Sequence, residues 1–213
     1  MRNEKAPIAI EGYPFIAAAA VVTVIFFLLS WSILALIGLA VTLFILFFFR
    51  NPQRTIPSDE SMILAPADGV VIYQGTVTEK CLNREMTKIS IFMSVFNVHV
   101  NRAPLTGQVV DHFYTKGKFL DVRDARSTFE NEQSGVVLEK ADGVKIVVVQ
   151  VAGLIARRIV CYPAIGDMLR RGQIYGLIRF GSRLDVYLPT EVDVKVTMGQ
   201  KTVAGETVLG ILP

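Results

Sequence analysis

The chain has 213 residues, 52% of them hydrophobic and 19% charged, with a formal net charge of +3. That is room for one ordinary domain and an accessory segment. The mild basic excess comes without a long basic run, an aromatic RNA-binding motif or a Cys/His finger spacing, which excludes the usual nucleic-acid binders. Cys81, Cys161, His99 and His112 are scattered, so the cysteines read as reduced thiols and no metal site is expected.

The apolar excess is local. No charged residue occurs from Pro14 to Phe49. One straight helix of that length would be about 54 Å long, against a hydrocarbon core of about 30 Å. The stretch therefore divides at Ser30-Trp31-Ser32 into Phe15–Leu29 and Ile33–Phe49, a hairpin that crosses the bilayer or dips into one leaflet. Arg2 and Lys5 precede it, and Arg50 and Arg54 follow it. The positive-inside rule then places both ends in the cytoplasm, at the cell membrane. A cleaved signal peptide fits less well, because the stretch is too long and no small-residue cleavage site follows.

Residues 51–57 form a short linker with two prolines, Pro52 and Pro57. Beyond it the pattern changes to short strand-like runs between turn signals. They cover 69–73, 88–93, 107–114, 135–139, 144–150, 159–162 and 192–196. Residues 121–134 are polar and read as a helix or a loop. Gly166, Gly172 and Gly176 are echoed by Gly199, Gly205 and Gly210, a faint repeat that predicts tight turns between strands. The expected architecture is mainly β (α+β): a barrel-sandwich-like catalytic domain over 56–213, preceded by a hydrophobic helical hairpin and linker over 1–55.

Gly181-Ser182 interrupts this pattern between an apolar run, 174–178, and a strand-like run, 184–188. A Gly-Ser pair by itself is a turn. It is also a bond that a chain can cut from within. The Ser182 hydroxyl attacks the Gly181 carbonyl and converts amide to ester. β-Elimination then leaves dehydroalanine, whose hydrolysis releases ammonia and leaves a pyruvoyl group. Such chemistry needs a base. His112 reads as a structural hydrogen-bonder, whereas His99 stands among the polar residues Asn97, Asn101 and Arg102. Asp68, in Ala65-Pro66-Ala67-Asp68-Gly69, reads alone as turn chemistry.

Three segments together carry a family resemblance: Pro66 to Gly69, Ser94 to Pro104 with His99, and Phe180-Gly181-Ser182 followed by Val186-Tyr187-Leu188-Pro189. In order and spacing the sequence resembles the short bacterial and archaeal phosphatidylserine decarboxylases. The likeness runs from Glu11-Gly12-Tyr13-Pro14-Phe15 to near the C-terminus.

The resemblance implies a pyruvoyl-dependent enzyme converting phosphatidylserine to phosphatidylethanolamine and CO2, without PLP or metal. It implies self-cleavage into a β chain, 1–181, and an α chain, 182–213, held as a heterodimer, with further dimerisation open. By the same resemblance Ser182 is the pyruvoyl precursor, His99 serves cleavage and decarboxylation, and Asp68 serves cleavage. Longer members carry Leu-Gly-Ser-Thr at the cut and a second histidine three residues after the first. Here Phe180-Gly181-Ser182-Arg183 and Arg102 stand in those places. Arg183, Arg102 and Phe96 are candidate substrate contacts, and Arg157, Arg158, Arg170 and Arg171 are further basic residues able to face anionic lipid.

Two other readings remain open on the residues alone. One is a membrane-anchored serine hydrolase built on Ser182, His99 and Asp68, although the Gly-x-Ser-x-Gly elbow is missing. The other is a non-enzymatic lipoyl-like adaptor, although Lys201 lacks the acidic-Lys-hydrophobic setting of a carrier lysine.

Overall fold

The computed structural model describes residues 6–154, 158–179 and 181–213. It divides into two compact units, Met1–Gln53 and Arg54–Pro213.

The first unit is a helical hairpin, α1 (Tyr13–Leu28) and α2 (Ser32–Phe48). The break falls at Ser30, which takes a φ of +59°, within the expected Ser-Trp-Ser. At 1.5 Å per residue the helices are about 24 and 26 Å long. Where they cross, Gly38 packs on Thr23, and a Cβ there would sit 2.7 Å from the Thr23 hydroxyl. The Thr23 and Thr42 hydroxyls lie 3.2 Å apart, and each also donates to a carbonyl one turn back, of Ala19 and Gly38. Every polar side-chain group at the crossing is thus satisfied without water, as an apolar solvent requires. The free ends are clasped by Ala9 N–H to Phe49 O (2.8 Å) and Asn51 N–H to Pro7 O (2.7 Å). Phe27, Leu28 and Ile33 at the tip are more than 70% exposed. An apolar surface of this kind is compatible with membrane association.

The second unit is almost all strand. In chain order these are β1 (Met62–Leu64), β2 (Gly69–Glu79), β3 (Arg84–Met93), β4 (Val100–Arg102), β5 (Gly107–Thr115), β6 (Gln133–Glu139) and β7 (Lys145–Ala152). They continue as β8 (Ile159–Cys161), β9 (Met168–Leu169), β10 (Ile174–Ile178), β11 (Ser182–Leu188), β12 (Asp193–Val194), β13 (Lys201–Thr202) and β14 (Val208–Ile211). An eight-stranded antiparallel sheet runs β13-β2-β3-β11-β7-β6-β5-β9, beside two three-stranded sheets, β1-β14-β12 and β4-β10-β8. The polar stretch 121–134 contains one helical turn, α3 (Ser127–Glu130), and then enters β6.

Alternation along the long strands gives the main sheet two buried faces. Leu184, Val186 and Leu188 of β11 join the larger core with Ile89, Ile91 and Met93 of β3. Met86, Val147, Val149 and Val151 lie on the opposite face, covered by Val122 from the 118–131 segment.

The glycine echo is part of a larger internal repeat. Gly166, Gly172, Gly199 and Gly205 all have positive φ, between +76° and +96°, whereas Gly176 and Gly210 lie within strands β10 and β14 rather than in turns. Gly205 N–H donates to Ala65 O and Gly172 N–H to Ala103 O, each at 2.8 Å. Leu64 N–H donates to Pro104 O and Arg102 N–H to Pro66 O, each at 2.9 Å. Ala65-Pro66-Ala67-Asp68-Gly69 therefore matches Ala103-Pro104-Leu105-Thr106-Gly107. In each copy the glycine opens a long strand whose edge takes a short hairpin strand, β13 on β2 and β9 on β5.

Candidate active site

Ser182 opens β11, the strand held on one side by β3 and on the other by β7. It stands opposite Met93 and Ala152. The residue is fully buried, and its hydroxyl lies 3.6 Å from the Met93 sulfur. Gly181 before it has a φ of +52°, and among the described residues, its chain neighbours aside, no heavy atom lies within 4 Å of where a Cβ would be. Glycine is required there by backbone conformation rather than by space. Phe180 lies outside the described residues.

His99 reaches the same region by a different route. β4 pairs with β10, Leu177 opposite Val100, and Ile178 N–H donates to His99 O at 3.4 Å. That contact is four residues ahead of Ser182. The residue is 2% exposed, with Nδ1 3.0 Å from Asn97 O. A carbonyl only accepts, so Nδ1 carries the proton, and in the neutral ring Nε2 keeps the lone pair that a general base uses. The loop that holds it is fixed by Asn97 Oδ1, which accepts from Ser94 N–H and Oγ–H at 2.8 Å each.

Asp68 sits at the same end of the sheet. β2 and β11 flank β3, so Asp68 and Ser182 are separated by one strand, roughly 10 Å at ordinary spacing. Its carboxylate accepts two bonds from Arg54, at 2.8 and 3.0 Å, and one from Ala204 N–H at 2.8 Å. In the other copy of the repeat Thr106 Oγ1 accepts from Arg171 N–H at 3.2 Å. The turn bond is thus common to both copies. The charge, and the Arg54 that meets it, belong to the Asp68 copy.

The candidate substrate contacts fare differently. Phe96, in the loop after β3, is 66% exposed. Arg102 is buried and donates to Gly172 O at 3.0 Å. Arg183 does not face solvent. It points to the opposite side of β11 from Ser182, and all five of its N–H groups are used inside the chain. They go to Asp185 (2.8 and 2.9 Å), Val122 O (2.6 Å), Ser127 Oγ (2.6 Å) and Thr128 Oγ1 (2.8 Å). With its donors engaged in this way, Arg183 ties β11 to the 118–131 segment. Arg171 is likewise buried, bound to the carbonyls of Pro57, Asp59 and Met62. Arg158 and Arg170 are exposed, and Arg157 lies outside the described residues.

Arg183 belongs to a buried charge cluster. Lys88 Nζ lies 2.9 Å from Asp185. Burial alone would raise the Asp185 carboxyl, but Arg183 and Lys88 beside it outweigh that and hold it below the usual range. Burial pushes the Lys88 ammonium down, only partly offset by Asp185. The isolated histidine, His112, bonds Ser134 Oγ at 3.1 Å.

Comparison with known proteins defines the class. The family model described as phosphatidylserine decarboxylase matches residues 41–210. A phosphatidylserine decarboxylase proenzyme from Geotalea uraniireducens is 70% identical over the whole of both chains. Those of Geobacter metallireducens and Syntrophotalea carbinolica are 67% and 56% identical, again over both full lengths. The class of the chain is thus an enzyme, a decarboxylating lyase of phospholipid metabolism. The chain belongs to the phosphatidylserine decarboxylase family.

Sequence reasoning missed Arg54, which meets Asp68, and Met93, which meets Ser182. Arg54 stands among linker residues, and Met93 reads as strand filler.

Proposed function

We propose that the chain is made as a proenzyme and cuts itself between Gly181 and Ser182 to form a pyruvoyl group. It then decarboxylates phosphatidylserine to phosphatidylethanolamine at a membrane surface. The observation that carries this reading is Ser182 at the mouth of a central strand, with glycine in a left-handed conformation on its acyl side. The peptide to be cut is held on its amino side by two ladders, and on its carbonyl side lies a glycine just outside them.

The residues fit the group. A pyruvoyl has no more heavy atoms than the seryl residue it replaces, so the place Ser182 fills already accommodates it. It would supply an electron sink for loss of the substrate carboxylate. After cutting, β11 keeps its partners on both sides, and the new terminus stays where Ser182 now sits. His99, with Nδ1–H fixed on Asn97 O, takes the Ser182 proton during maturation and returns a proton to the substrate carbon during turnover. Asp68 supplies a negative charge at the same end of the sheet for maturation. Phe96 faces the lipid chains, and the hairpin holds the domain at the cytoplasmic face of the membrane. The two chains remain an α/β heterodimer.

The alternative of a serine hydrolase leaves Ser182 intact. Intact-mass measurement separates the two: the expected result is a 182–213 fragment with a pyruvoyl N-terminus, absent in Ser182→Ala. An active preparation consisting only of uncut chain overturns the proposal.

A further inference from the structure

Ala152 is paired with Ser182. One step further along the two strands, Gly153 comes against Gly181. A Cβ built on Gly153 would lie 2.2 Å from the Gly181 carbonyl oxygen, 3.1 Å from its carbon and 3.2 Å from a Val122 methyl. Real Cβ atoms do not approach oxygen that closely. Gly153 is not among the residues with positive φ, so its own backbone would accept an alanine. What excludes a side chain there is the carbonyl of the bond to be cut.

The two glycines are therefore needed for complementary reasons. Gly181 must be glycine to turn its carbonyl, and Gly153 must be glycine to leave room for that carbonyl once turned. We propose that Gly153 is a positioning residue for self-cleavage: its bare Cα seats the Gly181 carbonyl in the orientation that Ser182 attacks. The inference rests on the maturation reading above. In the step concerned, a bond forms from Ser182 Oγ to the Gly181 carbonyl carbon and the bond from that carbon to Ser182 N breaks. The hydroxyl proton ends on the Ser182 nitrogen. Between these events the carbonyl carbon becomes tetrahedral and its oxygen must move. A methyl group on Gly153 displaces the carbonyl by about an ångström, and misplacement of that size costs up to about a hundredfold in rate.

The test is cell-free synthesis of the full chain followed by a chase, with the 182–213 fragment read on a denaturing gel. Gly153→Ala is expected to fold, at a cost of about 1–3 kcal/mol for the overpacked contact, and to cut tenfold to a hundredfold more slowly than wild type. Hydroxylamine, which cleaves an ester but spares an amide, is expected not to rescue cutting, because the block precedes the ester. Gly153→Ala combined with Val122→Ala, which removes the methyl contact, is expected to stay slow. Cutting of Gly153→Ala at the wild-type rate overturns the assignment, as does rescue by hydroxylamine. Failure of both variants to fold also overturns it, since glycine is then required by the fold. A wild-type chain that stays whole overturns the maturation reading instead, and this inference with it.

Discussion

The Ser182 hydroxyl points at the sulfur of Met93, its partner across the β3–β11 ladder, 3.6 Å away. A thioether is a weak acceptor. It holds the hydroxyl in a dry place without polarising it toward an alkoxide, so the base must come from elsewhere. Met93→Leu removes the sulfur while nearly keeping the volume. It should cost less than about 1.5 kcal/mol in stability, and cutting should be no slower than in wild type. Chemical denaturation and the time course of the 182–213 fragment check the two parts.

Arg183 should behave as a structural residue. Removing one member of a buried charge pair costs about 3–5 kcal/mol, so Arg183→Met is expected to unfold far more readily than wild type. Arg183→Lys keeps the charge but not the fork, and should lose part of that amount. In whatever Arg183→Lys protein matures, KM for phosphatidylserine should stay at the wild-type value. A raised KM with unchanged melting would restore the headgroup role.

Asp185 gives the fold an acid limit. Its carboxyl is held below the ordinary value by Arg183 and Lys88 despite burial. A depressed folded-state pKa contributes stability that is complete above the unfolded value, about 3.9, and is lost as pH falls through the folded one. Urea unfolding between pH 7 and pH 2 should show a steep loss below about pH 4. Asp185→Asn should be less stable at pH 7 and flatter across that window.

Asp68 can be dissected with the protein's own repeat. Thr106 makes in one copy the turn bond that Asp68 makes in the other, so Asp68→Thr retains an acceptor for Ala204 N–H and removes the charge. Loss of the Arg54 bonds should lower stability by about 1.5–3 kcal/mol, and cutting should slow markedly. Wild-type cutting in Asp68→Thr would reduce Asp68 to a turn residue. Arg54→Ala, read by the same gel, reports whether the ion pair matters to the cut.

Both thiols should be sluggish. Burial raises Cys161 to about 11, and burial with Glu79 nearby raises Cys81 to about 11. At pH 8 about one thiol in a thousand is ionised. Iodoacetamide at that pH should label slowly, and labelling of Cys81 should leave decarboxylation unchanged.

The features legible in the chain alone are those set within short reach along it. An uncharged stretch too long for one span predicts the break at Ser30, and glycines at fixed intervals predict the positive-φ turns at 166, 172, 199 and 205. Strand alternation implies that Ser182 and Arg183 face opposite ways. The order of three short motifs pointed to the family.

What those faces meet depends on how distant segments come together. Arg183 reads as a surface cation until the 118–131 segment, far away in sequence, brings Val122, Ser127 and Thr128 over it. Asp68 and Arg54 become a pair only when the linker folds back on the start of β2. The need for glycine at 153 exists only because β7 and β11 are neighbours. Periodicity and turn preferences are set by residues a few positions apart. A contact between strands depends on sheet order and register, which no single segment encodes.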